Sequence, residues 1–179
     1  MNKIPHKRPT KTYDADSIRD FVTESNKIEQ EYSAQAIEDS IKAWDRLTCY
    51  GSMSIELLLA THKIVMANLR PDIAGKFRDC DVYIGGRRCI FVSEALIKED
   101  VQKVIDKMNK SIKNPPKTVE GKEKIVKECH VELNIVHGFE DGNGRVSRLL
   151  MNWHRYHLTL PLHIIHAGKE QYEYYRWWS

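Results

Sequence analysis

The chain has 179 residues, 41% of them hydrophobic, and its 28 Lys and Arg against 25 Asp and Glu leave a formal net charge of +3. That length suits one domain around a single core. So small a charge of mixed sign, without the interleaved aromatics of an RNA-binding module, argues against nucleic-acid and membrane partners. No stretch is apolar for long enough to span a membrane, and no apolar h-region follows the basic start, so a soluble cytoplasmic protein is expected.

Residues 1–12 read as a flexible N-terminal arm and 13–179 as one domain. Asp14 or Asp16 is suited to cap a first helix, whose apolar stripe is Ile18, Phe21, Val22 and Ile28. Ser25 and Glu29 lie one turn apart and share a face of that helix. Ser33 caps a second helix that buries Ile37, Ile41, Trp44 and Leu47. A third, from about Ser54 to Leu69, is apolar nearly all round, the pattern of a buried central helix. Pro71 ends it.

The period then changes. Gly85-Gly86 stands between the β-prone runs Val82-Tyr83-Ile84 and Cys89-Ile90-Phe91, a two-residue hairpin signal. A lone hairpin is marginal and offers unpaired edge groups, so it must pack on helices or accept another strand. Ser93 caps a helix with Val101, Val104, Ile105 and Met108 inward, broken at Asn114-Pro115-Pro116. The four cysteines, Cys49, Cys80, Cys89 and Cys129, form no Cys-x-x-Cys pair, which argues for reduced thiols and against a zinc or redox motif. Ile125, Cys129, Leu133 and Val136 predict a helix that ends near His137, and Val146, Leu149, Leu150 and Trp153 a second one ended by Pro161. The tail from about Lys169 is aromatic enough to be packed.

Between those two helices, His137 to Arg148 crowds a base, carboxylates, glycines around an asparagine and two arginines into one loop and helix start. The first turn of a helix presents unpaired N–H groups and the positive end of its dipole, and glycine lets an anion come close. Arg145 and Arg148 are badly placed there unless something negative sits among them. Asp141 could pair with Arg145 or hold a hard cation such as Mg²⁺ against phosphate oxygens; His137 would be the base. An EF-hand fails, since its first ligand position falls on His137, and a dinucleotide fingerprint fails at Ser147.

The run resembles the motif of the Fic-domain family, His-Pro-Phe-x-Asp/Glu-Gly-Asn-Gly-Arg-x-x-Arg, departing from it at Gly138, where the family usually has proline. Ser25 to Glu29 is similar to that family's inhibitory motif Ser/Thr-x-x-x-Glu-Gly/Asn, placed N-terminal to the core, and departs from it at Gln30. The hairpin resembles the family's flap, and Gly75-Lys76-Phe77-Arg78 its approach; His130 also sits where the family tends to carry a histidine. The resemblance implies a mainly α fold, a Fic-type helical bundle with one β-hairpin over the active site. The implied activity is transfer of AMP from ATP, with Mg²⁺, to a Ser, Thr or Tyr hydroxyl of a target protein, the enzyme itself included. It implies His137 as the catalytic base and Asp141 on the metal. Gly142, Asn143 and Gly144 would hold the nucleotide with Arg145 and Arg148, Asn143 orienting the α-phosphate. Ser25 and Glu29 would regulate, while Tyr83, Ile84, Gly85 and Gly86 dock the target, and Tyr172 or Tyr175 would lie near the adenine. Two alternatives stay open: AMP removal or transfer of another phosphate-containing group by the same site, and a non-catalytic nucleotide-binding module.

Overall fold

The computed structural model describes residues 13–84, 87–91 and 93–177, so the N-terminal arm and the two flap glycines Gly85 and Gly86 lie outside the described residues. Five helices begin on side-chain caps: α1 (Ala15–Ile28) on Asp14, α2 (Ala34–Thr48) on Ser33, α3 (Ile55–Met66) on Ser54, α4 (Glu94–Lys113) on Ser93 and α5 (Val119–Val136) on Thr118. Each such cap contributes about 1 kcal/mol. Strands β1 (Val82–Ile84) and β2 (Arg87–Cys89) pair antiparallel between α3 and α4, with Val82 opposite Cys89 and Ile84 opposite Arg87. Helices α6 (Asn143–His157) and α7 (Lys169–Tyr175) follow. The fold is therefore mainly helical with one hairpin.

The central helix is α6 and not α3. Helix α6 touches each of α1 to α5, and its residues from Asn143 to Tyr156 are buried apart from the half-buried Gly144. Helix α3 buries Leu57, Leu58, Val65 and Met66 but exposes Glu56 and Lys63. Polarity hid the role of α6, because most of its buried polar groups find partners inside the protein. The Trp153 indole donates to the Leu47 carbonyl at 3.0 Å, and Asn152 exchanges two hydrogen bonds with the main chain of His163. Arg155 pairs with Glu123.

Helix α6 also ends earlier than Pro161. Thr159 turns left-handed (φ +59°), Thr159 N–H bonds Tyr156 O at 3.2 Å and Leu160 N–H bonds Arg155 O at 3.0 Å. That is a Schellman turn, which closes the helix at His157. It delivers Leu158 and Leu160 to a second apolar cluster with Ile28, Val126, Met151, Ile165 and Tyr174. The tail is thus packed against the end of α1, as its aromatic content predicts.

Candidate active site

Helix α5 stops because His137 is left-handed (φ +47°), which swings the chain into the loop before α6. Buried Arg78 ties that turn to the approach to the hairpin: its Nε donates to His137 O at 2.8 Å, its Nη1 to Cys80 O at 2.8 Å, and its main-chain N–H to Gly138 O at 2.9 Å. The Asn143 side chain spans the loop, accepting from Phe139 N–H at 3.0 Å and donating to Phe139 O at 2.8 Å. One N–H of the side-chain amide and the main-chain N–H of Asn143 take no part in this clamp, which is therefore compatible with the expected place of Asn143 at an α-phosphate.

Nδ1 of His137 lies 3.2 Å from Asn134 O, which can only accept; the ring proton is therefore on Nδ1 and the Nε2 lone pair is the basic one. Burial holds the imidazole below its ordinary pKa, outweighing the Asn134 hydrogen bond. A neutral base is what that environment favours near pH 7.

Helix α6 starts differently from the five before it. Its cap is Gly142, left-handed (φ +81°), with no side-chain cap hydrogen bond. A Cβ at Gly142 would come within 2.7 Å of Met66 Sδ, so the loop lies directly on α3. Roughly a few tenths of a kcal/mol of capping is forgone with glycine here, leaving first-turn N–H groups for an anion. Arg145 is buried, its Nε has no partner and its Nη2 is 3.3 Å from Asp141 Oδ1. Arg148, 1% exposed, is held by α1 and its C-cap: Nε donates to Ser25 Oγ at 2.9 Å, and Nη2 to Ser25 O at 2.9 Å and to Glu29 Oε1 at 2.6 Å. The Glu29 carboxylate lies over the first turn of α6, so close that a Cβ at Gly144 would be 2.2 Å from Oε1.

Asp141 is the acid best suited to a hard cation. Its side chain is 50% exposed; Oδ1 accepts from Gly142 N–H at 2.5 Å, and no hydrogen bond among the described residues uses Oδ2. Neighbouring Glu140 is held by Arg70 at 2.8 Å. Among the described residues no cluster of three metal-ligating side chains exists. An ion at Asp141 would take its other ligands from phosphate and water, the usual manner of Mg²⁺.

Tyr83 on β1 is 69% exposed. At the tail it is Tyr174, and not Tyr172 or Tyr175, that turns inward: its hydroxyl is 2.9 Å from His130 Nε2 and its ring faces the Arg148 guanidinium. Sequence reasoning placed Arg78 only in the approach to the hairpin, without its contacts to the motif loop, and did not single out Tyr174 or His62. His62 is fully buried, stacked on Phe139 with centroids 3.9 Å apart, and bonded to the main chain of both Gly75 and Asp141. The available signal was a histidine within the otherwise apolar run of α3.

The model of the Fic/DOC family matches residues 52–154. A protein adenylyltransferase fic-1 of Caenorhabditis elegans is 34% identical over 103 residues, 58% of this chain and 19% of that protein. A protein adenylyltransferase Fic of Nematostella vectensis is 27% identical over 126 residues, 70% of this chain and 28% of that protein. The chain thus spans less than a third of the length of these curated relatives. A solved Fic-1 fragment from C. elegans superposes with a TM-score of 0.73 at 22% identity, covering 98% of this chain and 58% of that one. A Fic-domain signalling protein from Bacteroides thetaiotaomicron gives 0.74 at 16% identity, covering 90% and 70%. Both share the fold. No helix among the described residues is long and apolar enough to cross a membrane.

Proposed function

The chain belongs to the Fic/DOC family, and from that premise we propose that it transfers AMP from ATP to a hydroxyl side chain of a target protein and is restrained by its own Glu29. The observation that carries this reading is the uncapped start of α6, whose first two turns carry two buried guanidiniums, together with a basic His137 whose imidazole feels the charges of Glu29 and Asp141. His137 Nε2 takes the hydroxyl proton, the oxygen attacks the α-phosphorus, and pyrophosphate leaves. The main-chain N–H groups of Asn143, Gly144 and Arg145 and the two arginines hold the phosphates. Mg²⁺ held by Asp141 would neutralise phosphate charge. Tyr83 and Ile84, with Gly85 and Gly86, register the target by strand addition. Residues 13–179 act as one unit in this reading.

Incubation with α-labelled ATP and a lysate tests it. Label should appear on protein with parent or Glu29→Gly enzyme, and not with His137→Ala. Transfer by purified His137→Ala would remove His137 as the base; no transfer by any form would leave a nucleotide-binding module. The nearness of the Glu29 carboxylate to the site also supports a second reading, AMP removal with Glu29 activating water. Loss of AMP from a modified protein, seen by mass and dependent on Glu29, would favour it.

A further inference from the structure

We infer that His62 is a positioning residue, a buried imidazole that fixes the Asp141–Gly142 peptide and so holds the carboxylate and the first turn of α6 in register. The inference rests on the reading of that turn as the nucleotide site.

The two ring nitrogens have opposite, fixed roles. Nδ1 accepts from Gly75 N–H at 2.9 Å, and that group can only donate. Nε2 lies 3.0 Å from Asp141 O, which can only accept, so the ring proton sits on Nε2. One neutral tautomer satisfies both bonds.

Each neighbour is shaped to permit this. Gly75 is left-handed (φ +78°), and a Cβ there would fall 2.9 Å from Lys63 Cβ, so only glycine brings its N–H against α3. The imidazole stacks on Phe139 within 4° of parallel; Phe139 stacks in turn on Phe77, and the Asn143 side chain clamps its main chain. His62 thereby joins α3, the approach to the hairpin and the motif loop at one point. The Asp141 carbonyl it holds belongs to the peptide whose N–H, on Gly142, bonds the Asp141 carboxylate. Rotation of that peptide would turn both the carboxylate and the helix start, and small misplacements of reacting groups cost up to about 10²-fold in rate.

The test uses His62→Gln, His62→Asn and His62→Phe in the Glu29→Gly background. A glutamine amide N–H can replace the Nε2 donor to Asp141, an asparagine reaches only the Gly75 side, and phenylalanine keeps only the stack. Gln should transfer AMP within a few-fold of the background, whereas Asn and Phe should lose about 10²-fold in kcat with ATP affinity nearly unchanged. Nitrogen NMR of the histidine-labelled protein should show His62 neutral with its proton on Nε2. The Asp141 and Gly142 amide signals should move in the Asn variant and stay in the Gln variant.

A proton on Nδ1, an Asn variant as active as Gln, or a folded Gln variant as inactive as Phe would each overturn the inference. If the Glu29→Gly parent itself transfers nothing, the functional reading fails. The tautomer and the amide shifts then still decide the role of His62.

Discussion

Arg148 Nη2 donates to Glu29 Oε1 across 2.6 Å, joining the central helix to the residue that caps the C-terminus of α1. A guanidinium that is 1% exposed costs several kcal/mol to desolvate unless its donors are matched. Ser25 supplies two acceptors, Glu29 a third, and the Tyr174 ring covers one face. The cation that the proposed mechanism would set against the phosphates is therefore already neutralised, and the neutralising carboxylate lies in the space over Gly144.

Glu29→Gly should accordingly raise AMP transfer, with self-modification the simplest readout, by about 10²-fold if the clamp acts through misalignment of the α-phosphorus. Arg148→Ala should silence transfer even in that background. Unchanged transfer by folded Glu29→Gly at saturating ATP would show that the contact is structural only.

The strength of the clamp should depend on Gln30. Gln30 is left-handed (φ +59°), with Gln30 N–H on Lys27 O at 2.9 Å and Glu31 N–H on Asn26 O at 3.0 Å, a Schellman closure of α1. Such a position suits Gly or Asn, and another residue there costs about 1 kcal/mol or more. Gln30→Gly should therefore favour the closed state by about 1 kcal/mol, which lowers basal transfer about fivefold. Gln30→Asn should shift it in the same direction. A basal rate that rises in both variants would contradict this account.

Much of the site was legible because its chemistry lies in one continuous run; helical spacing placed Ser25 and Glu29 on one face, and their regulatory reading came from the resemblance to the family's inhibitory motif. Tertiary geometry decided the rest. Nothing in the sequence reveals that the Asn143 amide clamps the loop, since the Phe139 main chain it spans looks like any other. The central position of α6 was obscured by Arg, Asn and His residues, whose partners lie on α4 and α5 or beyond the helix end. The burial of Tyr174 rather than Tyr172 or Tyr175 was not legible because a seven-residue helix has too few turns to reveal its inward face.

Two adjacent acids separate by mutation. Asp141→Ala should abolish transfer or greatly raise the Mg²⁺ concentration needed for it. Glu140→Ala should change the requirement little, because Arg70 already engages Glu140 at 2.8 Å on the protein surface. A Mg²⁺ titration of each variant checks this, and the reverse ranking would move the metal to Glu140.

Stability should fall on acidification because two histidines are buried neutral. Burial pushes His130, which faces Tyr174, Asn134, Arg148 and His163, down to about 3; it does the same to His154, which faces Ser111 and His157. An unfolded chain binds a proton at each site near the ordinary histidine value of about 6.5. Between about pH 3 and 6.5 the unfolded state therefore holds more protons than the folded one, and unfolding free energy drops as pH falls. Each histidine contributes roughly 1.4 kcal/mol per pH unit within that window. Above about pH 6.5 both states are neutral at these sites and the dependence vanishes. His154→Gln, whose amide can replace Nε2 opposite Ser111, should flatten the acid slope by about one proton's worth. Urea unfolding at about pH 7 and about pH 5 measures the difference. An undiminished slope in the folded variant would mean that His154 already carries its proton in the native state.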